Sequence, residues 1–347
     1  MKNGNLLKKL GILVLILGIA GGAVAWYLYG KIFKPNVEIE PNKTAYLYIP
    51  KGATIQEVYD SLNTLGVIKD FVFFKQVAKQ KNLGNNIYPG RYKLLDGMSN
   101  NTLVNKLRAG KHNPVNLTFN YIRTLDQLAG RVSKYINVDS ITLYEQLVTP
   151  MNQEKYGFTK ETYSGMFLPN TYRFNWSSDE KDFTDRMHKE YQKFWKSRQG
   201  KAEAINLTPN EVTTLASIVQ SETAKGEERK RIAGVYMNRL EKGIPLEADP
   251  TLIFAMGDFS IRRVLNKHKE IDSPYNTYKN QGLPPGPINL PEVSYIDAVL
   301  DYENHDYIFF CAKEDFSGYS NFAKTYSQHL KNAKRYHQAM NERKIFK

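Results

Sequence analysis

The chain of 347 residues contains one cysteine, Cys311, so it can form no internal disulfide and has no second thiol with which to build a metal site. That cysteine lies in the apolar run YIFFCA, Tyr307 to Ala312, which reads as a buried strand. The six histidines never fall at an H-x-x-x-H or cysteine-histidine spacing, and there is no G-x-S-x-G elbow or glycine-rich phosphate loop. Zinc chemistry, serine hydrolysis and nucleotide binding are therefore not indicated, and no metal or other cofactor is expected. Internal repeats and low-complexity tracts are absent too, which sets solenoid architectures aside. Acidic residues are in deficit: 48 Lys and Arg stand against 35 Asp and Glu, a net charge of +13. The basic residues are scattered and form no focused patch, so nucleic acid is not the expected partner. Anionic lipid head groups or an anionic wall polymer suit an exported basic surface better.

Export follows from the N-terminus. LGILVLILGIAGGAVAWYLY, Leu10 to Tyr29, carries no charge and as a helix is long enough to cross about 30 Å of hydrocarbon. Lys2, Lys8 and Lys9 precede it and Lys31 and Lys34 follow, a bias toward a cytoplasmic tail (1–9), an anchor (10–30) and an extracytoplasmic remainder. The competing reading is a signal peptide cleaved after AVA, Ala23 to Ala25. Trp26, Tyr27 and Tyr29 suit a membrane interface and favour a retained, single-pass anchor in the cytoplasmic membrane.

Residues 31–43 are polar with two prolines and read as a tether. The pattern then gives strand AYLYIP, a helix from Thr54 with Glu57 as capping partner, a second helix over Asp70 to Gln80, and strand PGRYKL. A further helix, Asn100 to Lys111, closes at Gly110. This strand-helix-helix-strand order over 44–112 resembles a LysM-like glycan-binding module. From 113 to 347 a mixed α+β domain is expected. It begins with strand VNLTFN and helix Thr124 to Ile136, passes through SGMFLPNTYRF, Ser164 to Phe174, as a fixed surface or groove-lining loop, and continues with a basic helix over Asp182 to Arg198.

In LTPNEVTTLASIVQSETA, Thr208 is set to cap a helix, with Pro209 at its first position and Glu211 completing the capping box. In that register Leu215, Ile218, Val219 and Glu222 share one broad stripe, with Gln220 and Ser221 away from its centre. Glu222 thus faces the core or a cleft above it. Desolvation there raises a carboxyl pKa, which is what a general acid near neutral pH requires. Helix geometry alone also allows a helix-end glutamate in solvent, or one paired with Arg229 or Arg239.

Further motifs follow in order: EER (Glu227 to Arg229), YMNRL (Tyr236 to Leu240), PLEADPTLIFAMG (Pro245 to Gly257), SPYNTYKNQGLPPGPI (Ser273 to Ile288) and NFAKTYSQH (Asn321 to His329). Together they resemble the YceG-like family of endolytic murein transglycosylases, over roughly 115 to 340. The resemblance implies a catalytic glutamate at Glu222. Many relatives carry another glutamate where this chain has Gln220. The activity implied is cleavage of the β-1,4 bond between N-acetylmuramic acid and N-acetylglucosamine in nascent glycan strands, leaving 1,6-anhydro ends, in partnership with the wall-synthesis machinery. Asn276, Thr277, Tyr278, Leu283, Pro284, Asp249, Arg229 and Asn238 are the expected substrate-binding residues. Asp249 orients a hydroxyl or caps the helix that follows, with capping favoured, and GLPPGPI forms a rigid wall. The chain departs from the family pattern at PNT (Pro169 to Thr171), NLPE (Asn289 to Glu292) and the Tyr319 to Phe322 stretch, where a histidine is missing. Two rival readings are a non-catalytic wall-binding scaffold and a hydrolytic muramidase that uses Asp249 or Glu247 as its second acid.

Overall fold

The computed structural model describes residues 3–261 and 263–343, and the side chains from residue 7 onward. The first two residues of the expected cytoplasmic tail lie outside it. The chain divides into two compact units: 1–116 with 135–137 and 173–178, and 117–134 with 138–172 and 179–347. The sequence placed one clean boundary at 112/113, whereas two short segments return to the first unit.

In the first unit α1 (Asn3–Phe33) includes, within Leu7–Phe33, an 18-residue window of mean hydropathy 2.2 with none of it buried, apolar and long enough to cross a membrane. Then come β1 (Ala45–Ile49), α2 (Ile55–Leu65), α3 (Phe71–Gln80), β2 (Gly90–Leu94) and α4 (Asn100–Arg108). The helix starts follow their capping residues. Thr54 and Glu57 form a capping box, and the Asp70 and Ser99 side chains accept from the backbone N–H groups of Phe73 and Thr102. β1 and β2 pair antiparallel with Leu47 opposite Tyr92, and Leu47, Ile49, Tyr92 and Leu94 enter a core shared with Val58, Leu62, Phe74 and Leu103.

The expected tether is not one. α1 runs through Phe33, the Asn36 and Val37 N–H groups both donate to the Met98 carbonyl at 2.9 Å, and Val37 is 2% exposed. Asn36 donates to Asn100 Oδ1 at 2.7 Å, and Asn100 donates to the Lys31 carbonyl at 2.9 Å. Two prolines and several charges gave the segment its loop-like composition. Its buried Val37 and the asparagine relay are tertiary features that composition does not register.

The second unit holds β3 (Val115–Phe119, whose first two residues count with the first unit), α5 (Leu125–Val132), α6 (Ser140–Val148), α7 (Pro150–Lys155) and β4 (Asn170–Phe174). After these come α8 (Glu180–Lys196), α9 (Gln199–Ala204), α10 (Pro209–Glu222), α11 (Arg229–Glu241), α12 (Asp249–Met256) and α13 (Val293–Leu300). β5 (Phe309–Ala312), β6 (Ser320–Ala323) and α14 (Tyr326–Glu342) complete the described chain. Among the described residues strands pair in twos, β1 with β2, β3 with β4 and β5 with β6, so α10 and the helices around it carry the core of this unit.

Three expectations change here. Ser164 to Phe174 is not a surface loop: it forms a 3-10 turn and β4, with Met166, Phe167, Leu168 and Tyr172 buried. Cys311 is in a strand as expected but is only half-buried. α10 has no single apolar stripe, because every residue from Val212 to Val219 is buried. Its threonines and Ser217 survive burial by donating to carbonyls of the helix itself three or four residues back.

Candidate active site

Glu222 is the last residue of α10, and the chain turns extended at Thr223. The Tyr295 hydroxyl of α13 donates to the Thr223 carbonyl at 2.9 Å, fixing that end of the helix. The Glu222 carboxyl is half-buried and turned toward α11, where Tyr236, 1% exposed, donates its hydroxyl to Oε1 at 3.0 Å. Burial raises the carboxyl from 4.5 to about 7; the Tyr236 hydrogen bond opposes the rise and the negative charge of Asp249 adds to it. The Tyr236 phenol is pushed well up by burial and by Glu222, so it stays a neutral donor. No pairing of Glu222 with Arg229 or Arg239 occurs: the Arg229 guanidinium bonds Ser294, and Arg239 pairs with Glu247 at 2.5 Å.

Asp249 is exposed and is the first residue of α12, not its cap. Ala248 occupies the cap position, and no side chain caps the helix. The Asp249 carboxylate instead accepts from the Tyr278 hydroxyl at 2.6 Å, and burial together with this carboxylate pushes the Tyr278 phenol far up. Tyr278 is half-buried. The Asp249–Tyr278 pair, Glu222 and Tyr236 thus form one electrostatic group of two acids and two phenols.

The neighbouring expected binding residues are structural. Asn276 is fully buried; its amide donates to the Lys269 and Ile271 carbonyls at 2.8 Å, and its oxygen accepts from the Tyr278 N–H at 3.0 Å. Thr277, also buried, accepts from the Ala248 N–H at 3.0 Å and shares a hydrogen bond with Thr251 at 2.9 Å. Pro284 is buried and Leu283 packs against the α10 core. The Asn238 amide holds the chain at 305–307, donating to the His305 and Tyr307 carbonyls at 2.6 and 2.9 Å. Polar residue types in a motif suggested sugar contacts, but their hydrogen-bonding capacity is spent on holding loops. Asn276→Ala is accordingly expected to cost about 1–3 kcal/mol of stability by orphaning buried groups. Chemical denaturation checks this, and substrate KM measured on the folded fraction should stay close to wild type.

Two residues with no role assigned from sequence matter here. Gln220 accepts from the Glu292 N–H at 2.7 Å and donates to Asn289 Oδ1 at 3.2 Å. Asn289 in turn donates to the Ser217 carbonyl and to Ser221 Oγ, both at 2.9 Å. They bind the NLPE stretch to the end of α10. The sequence signal was the amide at 220, two residues before Glu222, but nothing local announced its partner 69 residues away.

A cavity of about 570 Å³ lies against this end of α10, lined among others by Gln220, Ser221, Ala224, Pro250, Asn289 and Glu292. Arg229 lines it as well, so this expected residue does face open space. Glu222 is not in its lining, though its chain neighbours Ser221 and Ala224 are. A second hollow of about 410 Å³ shares Glu292 and is lined by Pro169, Asn170 and Thr171, which places the PNT stretch on a groove wall after all.

The YceG-like family profile matches residues 47–335. The chain belongs to the YceG-like family. Its family region begins inside the first unit, so the small module is part of it. This YceG-like chain is 32% identical to the endolytic murein transglycosylase of Bacillus subtilis, the match covering 94% of this chain and 93% of that protein. It is 30% identical to the protein of the same name from Streptococcus pneumoniae, over 87% of this chain and 60% of that longer relative. The crystal structure of a YceG-like protein from Listeria monocytogenes superimposes with a TM-score of 0.57 at 29% identity, covering 83% of this chain and 99% of that one.

Proposed function

We infer that this protein is an endolytic murein transglycosylase, a lyase of the peptidoglycan strand, in which Glu222 is the general acid and base. The observation that carries the residue assignment is a half-buried carboxyl raised to about 7 with one oxygen held by Tyr236 and, among the described residues, no hydrogen bond to the other. Protonated Glu222 gives its proton to the glycosidic oxygen as the bond from the muramyl C1 breaks. The resulting carboxylate takes the proton of the same sugar's 6-hydroxyl while that oxygen bonds to C1, closing the 1,6-anhydro ring. No water is consumed, so no second carboxylate is needed to activate one. Incubating the full chain with uncrosslinked glycan strands and reading the ends by mass spectrometry tests this. Anhydro-muramyl ends support it; reducing ends identify the muramidase, for which Asp249 is the available acid because Glu247 is engaged by Arg239. Intact strands that remain bound identify the scaffold.

Tyr236→Phe is expected to move the alkaline limb of the activity profile to higher pH. Losing the donor destabilises the carboxylate, so Glu222 keeps its proton further above pH 7. A limb that stays in place under a pH titration of kcat would show that this bond does not tune the acid.

The basic residues before the apolar helix and the aromatics at its far end support an anchor with the enzyme on the extracytoplasmic side of the membrane, uncleaved at Ala25. The strand-helix-helix-strand order of the first module supports a LysM-like hold on glycan beside the membrane. Association with the wall-synthesis machinery belongs to the same reading, and crosslinking of the anchored chain in cells tests it.

A further inference from the structure

Resting on the reading of murein as substrate, we propose that Arg229 is an anion anchor, which takes a carboxylate of the peptide stem and makes the enzyme prefer acid-bearing strands over neutral ones. Arg229 opens α11, where the helix dipole is already positive, and the acids at that helix end, Glu227 and the cap residue Glu228, form no ion pair with it. The nearby charges are committed elsewhere. Glu228 accepts from the Ser320 N–H at 2.9 Å, Glu227 accepts from the Tyr319 hydroxyl at 2.5 Å, and Arg231 pairs with Glu303 at 3.0 Å. Among the described residues no carboxylate pairs with Arg229.

Its setting fixes the guanidinium in place. The Cζ atom stands 4.0 Å from the centre of the Tyr295 ring, and Nη1 donates to Ser294 Oγ at 2.7 Å. Nε is buried and has no acceptor. The planar fork is thus held on an aromatic face on the wall of the 570 Å³ cavity, with donor capacity left over. Arg123 lines the same cavity and Glu292 is its single carboxylate, which leaves the lining with a net positive charge. Tyr121 adds a further sign of function: it is 77% exposed on the cavity wall and held at φ 52°, a left-handed conformation costly for an aromatic residue. A pocket with a cation fixed on one ring and a second ring offered to solvent suits a glycan whose peptide stem carries an acid. A neutral polymer of N-acetylglucosamine offers nothing to the cation.

The test uses the detergent-solubilised full chain and two substrates, uncrosslinked strands with native stems and the same strands with their stem carboxylates amidated. Binding affinity and kcat/KM are both read, for wild type, Arg229→Gln and Arg229→Lys. Wild type should favour native strands about 10–100-fold, the scale of a charge-assisted hydrogen bond. Arg229→Gln should lose that preference, chiefly through a higher KM on native strands, and Arg229→Lys should keep part of it. A preference that survives in Arg229→Gln, or an equal loss on both substrates, overturns the assignment. The binding arm separates the two claims: discrimination in affinity without cleavage keeps the anchor and removes the enzyme, whereas cleavage without discrimination does the reverse.

Discussion

Glu222→Gln is expected to lower kcat by about 10²–10⁴-fold, the range that general acid-base catalysis contributes, while leaving the protein folded. The amide is nearly isosteric and can still accept from the Tyr236 hydroxyl, but it cannot transfer a proton to the glycosidic oxygen or take one from the 6-hydroxyl. A stability measurement separates lost chemistry from lost structure, and its sign is fixed in advance. In the wild type the Glu222 pKa is raised on folding from 4.5 to about 7, so the native state holds a proton that the unfolded chain has released across that window. Stability is therefore lost as pH rises from about 4.5 through 7 and stays lost above it. Glutamine has no such dependence, so the variant should melt above the wild type at pH 8 and lose the advantage at pH 4. An inactive variant that is less stable at pH 8 would show that the carboxylate serves structure. Full activity in the variant would remove Glu222 from the mechanism.

The two acids near the site are distinguished by what surrounds them. Glu222 sits at the end of a helix buried on every side, so its charge is expensive. Asp249 is exposed and is bonded by a phenol. Burial gives the first the proton affinity of a donor. The second contributes a negative charge that raises the first further.

The parts of this arrangement that rest on local chemistry were legible in the sequence. Thr208, Pro209 and Glu211 set the register of α10, and the register put Glu222 at its inner end. The strand-helix-helix-strand order of the first module was readable from period and caps for the same reason. What could not be read was which polar groups are spent on other polar groups. Asn276, Thr277 and Asn238 look like sugar ligands as residue types, yet each closes a hydrogen-bonded loop whose partners lie 5 to 69 residues away. Asp249 looked like a cap because it precedes a proline, but the helix begins one residue earlier than that reading assumes. The tether failed likewise, since Val37 joins a core that runs from Leu47 to Leu107 and bridges to Ile68 and Met98, all far along the chain.

Gly286→Ala is the second substitution expected to have a large effect, and it acts through the groove wall. A β-carbon at this position would stand 2.0 Å from the Glu161 carbonyl oxygen and 2.5 Å from its carbon. Both belong to backbone, which cannot rotate aside as a side chain would, so the cost should reach or exceed the upper end of the roughly 1–3 kcal/mol usual for overpacking. Relief has to come from moving the chain at 286, and that chain is wired to α10 within three residues. The Ile288 N–H donates to Ser217 Oγ at 3.0 Å, and Asn289 donates to the Ser217 carbonyl and to Ser221 Oγ. Gly200→Ala is the matched control, a glycine inside α9 with nothing within 4 Å of the added carbon, where alanine should be neutral or stabilising. Thermal melts of both variants read the packing cost. Strand cleavage measured well below the lower melting temperature reads the displacement of α10. If Gly286→Ala melts with the wild type, the wall is more yielding than this contact implies; if it melts early but cuts normally per folded molecule, the wall does not position the acid.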